Sequence, residues 1–247
     1  MDRRHLEELI AVERGYWWHV AKRELVLSLL KRYAAAPGRL IEGGIGGGAN
    51  ALAFREQGYD YQGFDLFPES IEHARSLGIE SVQVWDLQEP WPVAANSARA
   101  VVLLDVIEHL TDPIKALANA AEALGPDGIV IVTVPAIPGL MGPWDRMLGH
   151  HRRYTRSLLK QHAETAGLRV RRLSAWNSFT LPPAVFVRLR EKRQERPRSA
   201  EFPPVSRPIN ATLIALARAE RAAMRVLPVP IGLSLVAVLQ PQGTHSR

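Results

Sequence analysis

The 247-residue chain contains no cysteine. A disulfide scaffold, a thiolate zinc site, an iron–sulfur cluster and a catalytic thiolate are therefore excluded. Long apolar runs are missing too. The longest charge-free apolar stretch of interest, residues 226–239, has 14 residues and contains Pro228 and Pro230. It is too short and too broken to span a bilayer. The first ten residues, MDRRHLEELI, hold no apolar core of a leader, so no signal peptide is expected and the cytoplasm is the expected location. Acidic residues become scarce halfway along. Residues 1–124 hold 12 basic and 18 acidic side chains, whereas residues 125–247 hold 19 and 7. The halves thus carry −6 and +12, an asymmetry that speaks to partners and not to fold. With 47% apolar and 23% charged residues, the composition is that of a globular protein.

No internal repeat is present. Helix-like and strand-like segments alternate from about residue 20 to residue 175. Apolar spacing predicts helices over 19–34, 49–57, 68–77, 113–124 and 155–166. Strands are expected at 40–41, 61–66, 80–84, 100–105, 129–134 and 168–174, with AVVLLD and IVIVTV reading as fully buried ones. This rhythm indicates an α/β fold with a mostly parallel sheet and helices on both faces. After residue 175 it breaks. An apolar stretch at 177–189 encloses Pro182-Pro183, a basic run covers 188–198, and four prolines fall within 197–208. A helix over 210–225 and a strand over 234–239 follow, and that strand is expected to return to the same sheet. One domain over 1–247 is expected, with a helical lid over 1–36 and a variable cap over 177–208.

The segment from Leu40 to Gly48 (LIEGGIGGG) is the most informative. A strand ends at Glu42, and glycines follow at 44, 46 and 48. Glycines there permit a tight turn and close approach of a ligand to backbone, and the next helix points its N-terminus at that ligand. Gly44-x-Gly46-x-x-Ala49 also satisfies the dinucleotide fingerprint. Four acids, Glu42, Asp65, Asp86 and Asp105, fall at or just after predicted strand C-termini, where open α/β sheets bind ligands. Acids at such ends also cap helices.

Glu42-x-Gly44-x-Gly46-x-Gly48 resembles motif I of the class I S-adenosylmethionine (SAM)-dependent methyltransferases. The run from Asp105 to Pro113, DVIEHLTDP, resembles the signature that follows strand four in their small-molecule O-methyltransferases. The resemblance spans roughly residues 16–174. It departs at residues 43–47, where GGIGG replaces a more usual V-G-C-G-T. It implies a Rossmann-like, doubly wound seven-stranded sheet whose last strand is antiparallel, and SAM as cofactor. It also implies Asp65 at the ribose hydroxyls and Asp86 near the adenine amine. Leu66, Leu87, Asp105 and Val106 complete that site, with Trp17 covering it and Arg23 pairing the methionine carboxylate. SAM is a cation bearing an ammonium and a ribose diol, so its site needs carboxylates more than a phosphate cradle.

Methyl transfer is an in-line displacement that requires alignment of the acceptor and exclusion of water. His109, just after strand four, is the expected base for a hydroxyl acceptor. Glu108 and His109 are adjacent, so on a helix they do not face one another, and no metal site is expected from that pair. The run from Gly149 to Thr155, GHHRRYT, resembles a segment of many bacterial members of the class. His151 and Tyr154 are further catalytic candidates. Trp144, His150 and Arg153 are candidates for holding the acceptor, Arg153 through bidentate pairing with an anion. Tyr16-Trp17-Trp18 reads as part of the lid, though such clusters also pack helices onto cores.

The expected function is methyl transfer from SAM to a small molecule at oxygen, the acceptor being anionic or amphiphilic. An NAD(P)-dependent oxidoreductase and a nucleic-acid methyltransferase are the alternatives. No Tyr-x-x-x-Lys pair supports the first. No Pro-Pro-aromatic motif after strand four and no nucleic-acid module support the second. A catalytically silent member of the fold would keep the glycine turn, which argues for binding alone. No nucleic-acid partner and no membrane span are expected. The apolar residues followed by cations at 179–193 leave peripheral membrane contact open, and the oligomeric state is not encoded.

Overall fold

The computed structural model describes residues 3–191 and 204–242. Seven strands form one sheet: β1 (Gly38–Gly43), β2 (Tyr59–Asp65), β3 (Val82–Val84), β4 (Ala98–Leu104), β5 (Leu124–Pro135), β6 (Leu168–Trp176) and β7 (Ser234–Pro241). Their order is β3-β2-β1-β4-β5-β7-β6. Pairs among β1 to β5 are parallel, and β7 runs antiparallel to both β5 and β6. The sheet thus has the Rossmann-like form that the sequence implies.

Alternation along the strands separates two cores. Ile41, Val101, Leu103, Val130 and Val132 face one side and pack under α5 (Pro113–Ala123) and α7 (Arg156–Thr165). Leu40, Ala100, Val102, Ile129 and Ile131 face the other, under α2 (Trp17–Tyr33), α3 (Ala49–Glu56) and α4 (Pro68–Ser76). Side chains one apart on a strand point to opposite faces, and both faces are covered, so the strands read as unbroken apolar runs. Local signals set the helix starts. Asp112 accepts from the Ile114 and Lys115 amides at the head of α5, with Pro113 in its first turn. Thr155 does the same for Leu158 at the head of α7.

The order of strands places the crossover point between β1 and β4, because the chain leaves β1 towards one edge and β4 towards the other. Ligands bind outside the strand ends at such a point. Elements that the periodicity did not predict surround it. A first helix, α1 (Arg3–Glu13), precedes α2. Trp17 and Trp18 form the first turn of α2, which begins two residues before the expected start at 19. A short α6 (Pro143–Met147) follows β5. Strand β5 starts at Leu124, five residues before its expected start, so Gly125-Pro126 lies inside the strand. Leu124 pairs Ala98 across a register irregularity that accommodates it.

Within the expected cap, α8 (Leu181–Glu191) is helical, while residues 192–203 lie outside the described residues. The basic run at 188–198 therefore has no described side chains. Helix α9 (Arg207–Met224) lies on α2, where Arg218 and Arg221 both pair Glu24. No described helix is long and apolar enough to cross a membrane.

Candidate active site

A cavity of about 900 Å3 opens at the C-terminal ends of β1, β2 and β4. Its floor is the glycine turn. Gly44, Gly46 and Gly48 have φ of 78°, 55° and 79°, a conformation that glycine adopts without strain. At Gly44 a Cβ would also lie 2.5 Å from Val106 Cγ2. Gly44 and Gly46 line the cavity; Gly48 sits behind it as the N-cap of α3.

Asp65 closes β2 and binds the turn: Gly46 N donates to Oδ2 (3.1 Å) and Phe67 N to Oδ1 (3.0 Å). Burial raises its carboxyl above the ordinary range, with the backbone amides opposing. Asp86 accepts from the Gln88 amide at 2.9 Å. Leu66, Asp86, Leu87, Asp105 and Val106 all line the same cavity. Asp105 has φ 56° and pairs Lys22 Nζ at 2.8 Å, and the Thr133 hydroxyl donates to it at 3.1 Å. Burial alone would raise this carboxyl; the Lys22 charge and the hydroxyl outweigh that and hold it below its usual value.

From the segment expected to form a lid, Lys22 and not Arg23 lines the cavity. Consecutive helical residues point about 100° apart, so one side chain enters and its neighbour leaves. Arg23 instead donates to the Glu13 and Arg14 carbonyls and fastens α1 to α2. His19, one turn before Lys22, lines the cavity as well. Burial pushes its imidazole down to about 3, so it is neutral. Trp17 lines the cavity, its amide donating to Asn210 and its ring 6.0 Å from Phe179.

Glu42 is fully buried and lies beneath the cavity, outside its lining. It accepts from Tyr61 Oη (2.7 Å) and Asn50 Nδ2 (3.2 Å). Asn50, which the sequence reading missed, does line the cavity. Burial pushes the Glu42 carboxyl up to about 8, against those two hydrogen bonds.

Another part of the lining comes from residues 108–111 and from residues between 135 and 153. Here residues 106–110 form a turn and not a helix, with His109 N donating to Val106 O. The expected helical separation of Glu108 and His109 therefore does not apply. The His109 and His150 rings meet edge to face with centroids 4.6 Å apart. Burial drives the His109 imidazole down to about 4, so it too is neutral. His150 Nδ1 lies 3.1 Å from Asp145 Oδ1, and Arg153 Nε and Nη2 reach the same oxygen at 2.8 and 2.7 Å. Asp145 is fully buried on α6 and also accepts from the Gly142 amide. Trp144 of α6 and Thr180, Pro183, Ala184 and Val187 of the cap close the space with apolar surface.

Two catalytic candidates fall outside. Tyr154 is fully buried in the core, its ring on His162 and its hydroxyl 3.4 Å from the Ile107 carbonyl. It does not line the cavity, and burial lifts its hydroxyl to about 12. The chain at Tyr154 runs beside Ala136 as an extra bridge, which turns its side chain into the sheet core. His151 is exposed and also lies outside the lining. Its amide donates to the Glu108 carbonyl. Arg152 braces the turn through the Leu110 and Thr111 carbonyls.

The donor set fits SAM. The carboxylates of Asp65, Asp86 and Asp105 line the cavity beside the glycine turn, a close glycine approach would be filled by any Cβ at residue 44, and apolar walls continue beyond. The family described as "Methyltransferase domain" matches residues 16–173. Over 108 residues the chain is 32% identical to a ubiquinone biosynthesis O-methyltransferase of Xylella fastidiosa, covering 42% of this chain and 44% of that protein. It thus spans about half the length of the curated relatives it matches. A Haloferax volcanii putative methyltransferase, solved in complex with the Trm112 methyltransferase activator, superposes with a TM-score of 0.63 at 18% identity, covering 96% of this chain and 97% of that one. The cyclase SpnF superposes with 0.61 at 18% identity, covering 96% and 93%. At such identities these likenesses speak for fold alone. With the family match over most of its length, the chain belongs to the class I SAM-dependent methyltransferases, enzymes that take SAM as cofactor.

Proposed function

We propose that this methyltransferase acts on an oxygen of a small amphiphilic acceptor that carries an aromatic hydroxyl. The observation that carries the reading is the far end of the cavity. There the polar groups His109 and His150 are set in a wall of Leu140, Trp144, Leu148, Pro183 and Val187. Such a surface receives a flat apolar body and directs its hydroxyl to the imidazoles. The name of the Xylella relative, a ubiquinone biosynthesis O-methyltransferase, supports oxygen as the methylated atom.

When bound, SAM supplies an electrophilic methyl group on a sulfonium. Asp65, Asp86 and Asp105 hold the cofactor, with Leu66, Leu87 and Val106 as apolar walls and Gly44 and Gly46 as the backbone cradle. Glu42 acts through Asn50 and Tyr61 as a positioning residue. Trp17 and the cap exclude water, which keeps hydrolysis out and strengthens every charge interaction inside. His109 faces the acceptor hydroxyl and accepts its proton. His150, fixed by Asp145, orients it. Both cations in the described lining, Lys22 and Arg153, are already paired to carboxylates. This favours an amphiphilic acceptor over one whose carboxylate or phosphate needs a free cation.

Calorimetry with SAM, followed by a methylation screen of phenols and catechols with and without apolar tails, tests the reading. SAM binding near micromolar and methyl ethers formed on tailed phenols are expected. His109→Ala should lower turnover by 10-fold or more while changing SAM affinity less. Methylation only at nitrogen, or turnover unaltered by His109→Ala, refutes it.

A further inference from the structure

Glu108 is an anomaly in this site. It is completely buried, yet neither carboxylate oxygen has a hydrogen-bond partner. A buried acid without partners costs several kcal/mol in a protein interior, so a group this isolated calls for a missing counterpart. Two imidazoles stand beside it. One donor atom each from Glu108, His109 and His150 lie within 4.8 Å of one another.

The histidines are prepared in a specific way. His150 has its Nδ1 held by the buried Asp145 carboxylate, which leaves Nε2 for a further partner. His109 meets that ring edge to face, with centroids 4.6 Å apart, which packs the two imidazoles together. A second nitrogen engaged by a carboxylate or a carbonyl is the arrangement that orients histidines on metals. Asp145 is itself locked by Arg153 and the Gly142 amide.

We infer that Glu108, His109 and His150 form a binding site for a divalent first-row transition ion at the acceptor end of the cavity. Two imidazoles and one carboxylate match Zn2+, Mn2+, Co2+ or Fe2+ and not the all-oxygen shell that Ca2+ or Mg2+ favours. Donors bound at about 2.0–2.2 Å from one ion lie about 3–3.5 Å apart, so loading draws the three together by roughly an ångström. The remaining positions face the cavity, where an acceptor's oxygen donors can complete the shell. Adjacent oxygens, as in a catechol, would bind better than one. The ion would then lower the pKa of the acceptor hydroxyl so that its proton leaves to solvent, and His109, occupied as a ligand, would not be the proton acceptor in the loaded enzyme. That catalytic role rests on the proposed acceptor; binding of the ion does not.

The test uses the 247-residue chain, stripped with chelator and then titrated with Co2+ and Zn2+. Co2+ reports coordination through its visible absorption, and Zn2+ uptake is counted by equilibrium dialysis and elemental analysis. One equivalent per chain is expected, with affinity in the micromolar range or tighter. Glu108→Gln keeps the shape of a side chain that lacks partners and is expected to fold; it should weaken binding at least 10-fold and change the Co2+ spectrum. His150→Ala should do likewise, and Asp145→Asn should cost 10- to 100-fold by loosening His150. Circular dichroism confirms that each variant is folded. No uptake by the wild-type chain, or uptake unaffected by Glu108→Gln and His150→Ala, overturns the inference. SAM calorimetry on the stripped protein separates the two readings: SAM bound without any metal uptake sinks the metal site alone. Stoichiometric metal uptake without oxygen methylation keeps the site and sinks the proposed acceptor.

Discussion

Replacing Glu42 by Gln should make the protein more stable, and increasingly so as pH rises. Glu42 is fully buried, and burial moves its carboxyl from the ordinary 4.5 up to about 8. Below pH 4.5 the group is protonated in both folded and unfolded chains and contributes no difference. Between 4.5 and 8 the unfolded chain has lost the proton while the folded chain keeps it. The folded state then binds more protons, so stability falls with rising pH by about 1.4 kcal/mol for each pH unit. Above 8 both forms are ionised and the loss levels off near about 5 kcal/mol. Gln has no proton to lose, so Glu42→Gln escapes that penalty. Its amide can still accept from Asn50 and donate to the Tyr61 hydroxyl. Urea unfolding of both proteins from pH 5 to 9 measures the difference, in which all other titrations cancel. Wild type minus variant should become more negative by several kcal/mol across that range. This is a large share of a domain's total of about 5–15 kcal/mol. A difference that stays flat with pH refutes the claim that Glu42 is a buried, protonated acid, and with it the positioning role given to it.

Three other substitutions probe separate parts of the site. Lys22→Met leaves Asp105 without its partner in a mostly buried pair and should cost about 3 kcal/mol; a melting temperature unchanged in calorimetry would refute the pairing. Gly44→Ala forces a side chain into a left-handed residue and against Val106. It should cost about 1–2 kcal/mol and lower SAM affinity about tenfold or more, whereas unaltered SAM titration would remove Gly44 from the cradle. Tyr154→Phe loses one long hydrogen bond in the core. It should lower stability by less than about 1 kcal/mol and leave turnover unchanged, so a large fall in turnover at constant stability would restore Tyr154 to the chemistry.

The sheet was legible because its strands are buried on both faces, which writes them as continuous apolar runs such as AVVLL. The glycine turn and the acids at strand ends were legible for a related reason: backbone conformation and strand termini dictate where they must fall. Pairings between distant segments were not. Nothing local in Lys22-Arg23 says which side chain enters the cavity, because that depends on the rotational setting of α2 against the sheet. Likewise His150 meets His109 across 41 positions only because the chain beyond α6 runs back along the end of β5, and the same path carries Tyr154 into the core. The charge division of the sequence has the same limit. An excess of +12 in the second half suggested cations awaiting an anionic acceptor, but a sum over half a chain counts side chains wherever they point. Recognition depends on the few that reach the ligand. In the described cavity lining those are Lys22 and Arg153, and Asp105 and Asp145 already neutralise them. On the proposed reading, affinity for an acceptor comes from its apolar body and from whatever its oxygen meets at Glu108, His109 and His150.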